Sequence, residues 1–139
     1  MKTTLQAGIA AKRKFRIDRE RTIDFMGDAA RVYATQMLVR DIEVTCREFL
    51  LEHLDAGEDS VGTRVEIDHL AATLLGMDVE ISISVAEVKG RAVTFAVEAH
   101  DGIDKVCQGR HSRFVTDVKK TEERLAAKGK KAREQSKIA

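Results

Sequence analysis

The spacing of apolar residues changes along this chain of 139 residues. Apolar positions alternate imperfectly in residues 5–17, which predicts a strand, and the polar residues 19–27 predict a connecting loop. From Thr35 to Leu54 they recur at three- and four-residue steps, which predicts one amphipathic helix. The helix is expected to end at the segment Asp55-Ala56-Gly57, because glycine favours a helix C-terminus.

Four further strands are predicted after the helix, since apolar and polar residues alternate there. Val79, Ile81 and Ile83, for example, alternate with Glu80 and Ser82. The predicted strands are residues 63–73, 77–88, 91–100 and 105–117, with turns at Lys89-Gly90 and Asp101-Gly102. This order predicts an α+β fold in which a curved antiparallel sheet wraps a long central helix. One helix leaves a sheet edge and some apolar surface uncovered, which favours pairing with a second copy.

The composition shifts near Lys119, where the sequence becomes highly charged with an excess of basic residues. We therefore predict a domain over residues 1–118, followed by a charged C-terminal helix or tail over residues 119–139. A solvated surface segment is the simplest interpretation of that tail.

The overall composition is that of an ordinary soluble domain, with 34% charged and 43% hydrophobic residues. A formal net charge of +1 gives no strong preference for nucleic acid or a membrane surface. Cys46 and Cys107 fit no metal-ligand spacing, and we interpret them as free thiols in a reducing compartment. Without a signal-peptide pattern or an apolar run of about 18 residues, a cytoplasmic location is expected.

His69 stands out among the four histidines of the chain. Strand alternation places it on the same face as Val65 and Ile67, so an imidazole replaces an expected apolar side chain. Such a group needs a partner to offset its desolvation, and a carboxylate would serve. The remaining histidines are interpreted as structural or solvated: His53, His100 and His111.

Glu43 is the carboxylate expected to pair with His69. It follows Ile42 at the margin of the apolar stripe of the predicted helix. It is either an exposed helical glutamate or a buried carboxylate that faces the sheet as a general base or nucleophile.

Thr35 is a candidate helix N-cap, and its hydroxyl could also hydrogen-bond a reacting carbonyl or a carboxylate. Positions 35 and 43 are about 12 Å apart along an ideal helix axis. Thr35 and Glu43 can therefore share a site only if the chain bends back before the helix or a ligand spans the gap. The free backbone N–H groups at the helix start could polarise a carbonyl.

No phosphate-binding glycine loop, nucleophilic serine elbow or zinc-ligand spacing occurs in the sequence, so neither a metal nor a cofactor is predicted. Six other segments carry a specific pattern in order and spacing: VYAT at 32–35, Glu43 within DIEVTC, SVGT at 60–63, DHLAAT at 68–73, AHDG at 99–102 and GRHSR at 109–113. Through them the chain resembles the hot-dog-fold thioesterases, and specifically the family of the fluoroacetyl-CoA-specific thioesterase. The resemblance runs from about Val32 to Val115.

The resemblance implies hydrolysis of an acyl-CoA thioester at a catalytic site of Thr35, Glu43 and His69. Glu43 would be the nucleophile or the base for water, Thr35 would position the reacting group, and His69 would orient the carboxylate and assist proton transfer to the departing thiolate. By the same resemblance, the backbone of Gly62 lines the acyl site and Arg113 lies near the pocket. A homodimer with sites near the interface is also implied, without nucleic acid or membrane as a partner.

The segment TIDFMGDAAR is shorter than the aromatic lid of the fluoroacetyl-CoA enzyme, and Phe25 is its only aromatic residue. We therefore expect a general short-chain acyl-CoA as substrate. One alternative is a non-catalytic acyl-CoA-binding or regulatory module, whose basic tail after Lys119 would touch the CoA phosphates or another partner. A hot-dog hydratase or dehydratase is a further alternative, although its local pattern differs from IDHLAAT.

Overall fold

The structure, a computed structural model, describes residues 1–138 and confirms the predicted α+β layout. Five antiparallel strands form one sheet in the order β1-β3-β4-β5-β2. The elements are β1 (Ala10–Arg16), α1 (Thr35–Leu51), β2 (Glu58–His69), β3 (Asp78–Lys89), β4 (Ala92–His100), β5 (Lys105–Asp117) and α2 (Val118–Ile138). No helix of the described chain is both long and apolar enough to cross a membrane.

Helix α1 packs its apolar stripe against one face of the sheet. Leu38, Ile42, Cys46 and Leu50 are fully buried, as the three- and four-residue spacing predicts. The helix ends at Leu51 rather than at Leu54, because the chain turns there towards Gly57, whose φ of +83° suits only glycine.

The sheet presents alternating side chains to this helix, and its predicted strands are confirmed with two shifts of boundary. The first strand covers Ala10–Arg16 instead of residues 5–17, because a turn with a φ of +97° at Gly8 precedes it. Strand β2 starts at Glu58 instead of residue 63 and ends at His69, because it pairs with β5 along its whole length. Its other edge has no partner strand within residues 1–138.

Helix α2 continues directly from β5, so the charged segment after Lys119 is helical. Its side chains between Glu122 and Lys128 are exposed, which fits the predicted surface helix. Cys46 and Cys107 are free and buried, as predicted. Burial raises the pKa of the Cys46 thiol to about 12 and that of Cys107 to about 11, so both are packing groups rather than nucleophiles.

Candidate active site

Thr35 is the first residue of α1, and Ala34 occupies the N-cap position without a side-chain hydrogen bond. The interpretation of Thr35 as an N-cap is therefore wrong. Its hydroxyl turns to His69 instead, with 2.8 Å between Oγ1 and Nδ1. Either atom can donate this hydrogen bond, depending on the imidazole tautomer.

His69 ends β2, half-buried, with the ring of Tyr33 edge-on at a centroid distance of 6.3 Å. Burial lowers the pKa of His69, so the imidazole is neutral near pH 7. The backbone of Ala71 partly opposes this lowering of the pKa, but its geometry does not meet the criteria for a hydrogen bond with Nε2. The buried Nε2 has no hydrogen-bond partner within residues 1–138, which leaves it free to contact a ligand.

A cleft of about 350 Å³ opens beside this pair. Its walls are apolar and include Ile23, Phe25 and Val32, while Thr35 and His69 supply the polar groups. Apolar walls with a few convergent polar groups are typical of small-molecule sites. A larger hollow of about 440 Å³, lined by Ser82 and Ala96, lies on the sheet face that points away from α1. We assign the chemistry to the smaller cleft because only it contains the Thr35–His69 pair.

Glu43 is half-buried on α1 and its carboxylate lies against Gly62 of β2. A Cβ atom added to Gly62 would come within 2.5 Å of the Glu43 Oε1 atom. The strand bulges between Gly62 and Arg64, which interrupts its pairing with β5 at this point. Glycine thus makes room for the carboxylate beside the bulge.

Arg113 lies opposite Gly62 in the ladder between β2 and β5, and only 4% of it is exposed. It donates from Nε to the Ser60 hydroxyl at 2.7 Å and from Nη2 to the Ser60 carbonyl at 2.8 Å. Desolvation lowers the pKa of Arg113, and the carboxylate of Glu43 acts against that shift. The structure therefore brings Glu43, Gly62 and Arg113 together.

The structure does not bring Glu43 to His69 within one chain. His69, at the end of β2, hydrogen-bonds to Thr35. Glu43 lies beside Gly62, which is nearer the start of that strand. The expected pairing is not found because Thr35 belongs to the regular helix, so the separation of about 12 Å between positions 35 and 43 persists. The candidate residues form two half-sites: Thr35 with His69, and Glu43 with Gly62 and Arg113.

A buried network of polar side chains next to the first half-site was not predicted from the sequence. Asp41 is 1% exposed and accepts hydrogen bonds from the Tyr33 hydroxyl at 2.5 Å and from Arg21 Nε at 2.8 Å. This carboxylate raises the pKa of Tyr33, after burial itself, and keeps the phenol protonated. The position of Asp41 next to Ile42 could have indicated that Asp41 is buried. Its partners Tyr33 and Arg21 could not be predicted, because they lie before α1 in a segment without regular periodicity.

His111 was interpreted as structural or solvated, and the structure places it with the second half-site. It is fully buried, and its Nε2 lies 3.2 Å from Nη1 of Arg113. The signal was present in the sequence, because His111 and Arg113 alternate with the apolar Val115 on the inward face of β5.

We predict that the free energy of unfolding decreases as the pH falls below about 6.5. Burial lowers the pKa of both His69 and His111, so the unfolded chain takes up protons at a higher pH than the folded chain does. The loss continues down to the folded pKa values. Urea unfolding at pH 7.5, 6 and 5 measures this loss of unfolding free energy. The range stays above about pH 4, below which carboxylates with lowered pKa values, such as Asp78, also contribute.

His111→Gln should make this pH dependence shallower, while His100→Gln, which changes an exposed histidine, should not. Equal slopes for the three proteins would show that His111 does not contribute.

Comparison with known proteins places this geometry in a family. Residues 17–119 match the family described as FlK, fluoroacetyl-CoA-specific thioesterase. The fluoroacetyl-CoA thioesterase of Streptantibioticus cattleyicolor is 36% identical over 89 residues, which span 64% of this chain and 64% of that protein. The alignment thus spans a little under two thirds of the relative's length.

Solved structures share the fold over a larger part of the chain. The structure of the fluoroacetyl-CoA thioesterase FlK superposes with a TM-score of 0.81 at 27% identity, covering 89% of this chain and 97% of that one. A hot-dog-like protein from Thermanaerovibrio acidaminovorans gives a TM-score of 0.81 at 25% identity, covering 88% of this chain and 91% of that one. The predicted hot-dog fold is therefore confirmed.

Proposed function

This chain belongs to the fluoroacetyl-CoA-specific thioesterase family, and on that premise we propose that it hydrolyses a short-chain acyl-CoA thioester to a free acid and CoA. The observation that carries the proposal is the hydrogen bond between Thr35 and His69 at an apolar cleft. We propose residues 1–118 as the catalytic domain and residues 119–139 as an appended charged segment. The free, buried cysteines support a cytoplasmic location.

In the proposed reaction the Glu43 carboxylate is the base or the nucleophile. As a base it takes a proton from water while the water oxygen attacks the thioester carbonyl carbon. The tetrahedral intermediate then collapses, the carbon–sulfur bond breaks, and the CoA thiolate receives the proton that Glu43 took from water. As a nucleophile, Glu43 would attack the carbonyl carbon and expel the CoA thiolate to form an anhydride. Water would hydrolyse that anhydride in a second step to the free acid and the Glu43 carboxylate.

Thr35 and His69 position the thioester and its departing sulfur. If the Thr35 hydroxyl donates to Nδ1 of His69, then the neutral imidazole carries its proton on Nε2, the atom that faces no partner in the described chain. An Nε2–H at that place can hydrogen-bond the thioester and then the departing sulfur, while the proton that Glu43 took from water neutralises the thiolate. The lowered pKa of His69 supports a neutral donor there.

The cleft supports a short and unspecialised acyl group. A volume of about 350 Å³ accommodates a small acyl chain with the start of the pantetheine arm. Phe25 is 77% exposed, so the only aromatic residue of the segment TIDFMGDAAR does not close the cleft. We therefore propose a general short-chain acyl-CoA rather than fluoroacetyl-CoA alone.

A homodimer would unite the two half-sites. The free edge of β2 is long and open to pairing, and pairing it with the same edge of a second copy would satisfy its backbone groups. Antiparallel pairing about an axis near Val65 and Glu66 would exchange the two ends of the strand. Gly62 with its adjacent Glu43 would then approach His69 of the partner subunit.

Release of free thiol from a panel of acyl-CoAs, from acetyl- to hexanoyl-CoA and including fluoroacetyl-CoA, tests the function. We expect turnover of the short acyl chains. Binding of intact acyl-CoA without release of thiol would instead support a non-catalytic acyl-CoA-binding module. The proposal would be refuted by a protein that does not bind acyl-CoA and releases no thiol from it.

Thr35→Val should lower kcat about tenfold or more, because it removes the hydroxyl that bonds His69 while keeping the shape of the side chain. Thr35→Ser, which retains the hydroxyl, should recover most of the activity. Steady-state kinetics with the best substrate of the panel measures both variants. Equal kcat values for wild type and Thr35→Val would remove Thr35 from the site.

A further inference from the structure

His111 is a fully buried titratable group that the proposed reaction does not use. Its Nδ1 lies 2.8 Å from the backbone carbonyl of Arg64, which can only accept, so Nδ1 carries the proton. Its Nε2 lies 3.2 Å from Nη1 of Arg113, which can only donate, so Nε2 accepts. Only the neutral imidazole with its proton on Nδ1 satisfies both contacts.

Arg113 is held on three sides by uncharged acceptors. These are the hydroxyl and the carbonyl of Ser60, and Nε2 of His111. Burying a guanidinium among neutral groups is unfavourable, since a buried charge is normally offset by a charged partner. The fixed orientation of Arg113 therefore indicates an electrostatic role beyond these three bonds.

The carboxylate with the largest effect on Arg113 is that of Glu43. Three side-chain atoms converge on the space above Gly62, where an added Cβ would lie 2.5 Å from Glu43 Oε1, 3.3 Å from His111 Cε1 and 3.5 Å from Arg113 Nη1. The carboxylate of Glu43 also raises the pKa of Arg113, against the effect of burial. The cation and the carboxylate thus lie around one small space.

We propose that His111 is a positioning residue for the hydrolysis, which holds the guanidinium of Arg113 towards the Glu43 carboxylate above Gly62. The assignment rests on the proposed function of Glu43. Held in this way, Arg113 keeps its positive charge directed towards Glu43 without forming a contact pair that would block the access of the carboxylate to the substrate. The orientation depends on the lone pair of His111 Nε2.

Protonation of His111 would remove that lone pair and place an N–H against Arg113. Burial and the charge of Arg113 lower the pKa of His111, whereas the carboxylate of Glu43 and the carbonyl of Arg64 oppose this shift. The other groups acting on Arg113 are Cys46 and Arg47 of α1 and Asp59 of β2. Acidification below about pH 6.5, the ordinary histidine pKa, should therefore loosen Arg113 and reduce activity.

Two substitutions separate positioning from packing. His111→Leu fills a similar volume without an acceptor, and His111→Gln keeps an acceptor oxygen that does not titrate. We expect His111→Leu to lower kcat roughly ten- to hundredfold with KM within about threefold, because a hydrogen bond to a buried charge is lost. His111→Gln should recover most of kcat and lose less activity than wild type between about pH 6.5 and 5. The control is His100→Gln, an exposed site.

Crystal structures of both variants, with ¹⁵N NMR of the wild-type imidazole, test the geometry without an activity assay. The wild type should show a proton on Nδ1 of His111, and Arg113 should move away from Glu43 in His111→Leu but not in His111→Gln. An unmoved Arg113 in His111→Leu, or kcat equal to wild type, would overturn the assignment. If the wild type hydrolyses no acyl-CoA, the proposed hydrolysis and the role of His111 in it both fail, and the structural arm still decides whether His111 orients Arg113.

Discussion

Glu43→Gln is expected to lower kcat by about 10²–10⁴-fold, the range that general-base catalysis contributes. The amide has nearly the same shape as the carboxylate, so it fits beside Gly62 without disturbing the strand. It cannot accept a proton from water at neutral pH or attack a thioester. Release of free thiol measures kcat and KM, and KM should change little because the acyl cleft lies at the other half-site.

Glu48→Gln is the matched control on the same helix. Its carboxylate is half-exposed and pairs with Arg13 at the surface, away from Gly62. This variant should keep kcat within about twofold of wild type, since exposed ion pairs contribute little to stability. Similar kinetics for the two variants would exclude Glu43 from catalysis.

The same substitution tests whether each site needs two subunits. Glu43→Gln and His69→Ala should each be inactive alone, and mixing them with subunit exchange should restore about a quarter of wild-type activity. Half of the dimers would then be mixed, and each mixed dimer would contain one intact site. Absence of recovered activity despite subunit exchange would place both residues in a site within one chain.

Gly109→Ala is expected to lower the free energy of unfolding by roughly 3–5 kcal/mol. Gly109 of β5 pairs with Ile67 of β2, and an added Cβ would lie 2.7 Å from the Cα of Ile67 and overlap the carbonyl oxygen of Glu66. Both obstacles are backbone atoms, so no side-chain rotation relieves them. The two strands must separate at the centre of their ladder.

Urea or thermal unfolding measures this effect, with Gly129→Ala as the control. Gly129 lies within α2, where an added Cβ meets only the flexible end of Arg133 at 3.4 Å. That variant should be neutral or stabilised by up to about 1 kcal/mol, because alanine is the better helix former. If the Gly109→Ala protein is as stable as wild type, the close approach of β2 and β5 at Gly109 would be contradicted.

The amphipathic helix and the alternating strands were predictable because each depends on neighbours in sequence. The spacing of Leu38, Ile42 and Cys46 predicted the buried side of α1, and the alternation around Ile81 predicted the buried side of the sheet. These periods follow from backbone geometry, so they can be recognised before any tertiary contact is known. The ends of β1 and β2 were less predictable, because a turn at Gly8 and pairing with β5 decided them.

The candidate site was only partly predictable from the sequence. Alternation alone showed that the imidazole of His69 lies on an otherwise apolar strand face. It did not show which side chain bonds to that imidazole. Glu43 was the expected partner, whereas the fold presents Thr35 to His69 and turns Glu43 towards Gly62. Similarly, alternation along β5 indicated that His111 faces inward, but not that it bonds to Arg113.

Local periodicity thus specified the helix, the strands, the buried faces and a histidine in an unusual place. The partners of the polar groups depended on how α1 crosses the sheet and on the bulge after Gly62, which shifts the register between β2 and β5. A shift of one residue turns every following side chain to the opposite face, and no local pattern encodes it. Contacts across elements, and the division into two half-sites, therefore emerged only from the folded chain.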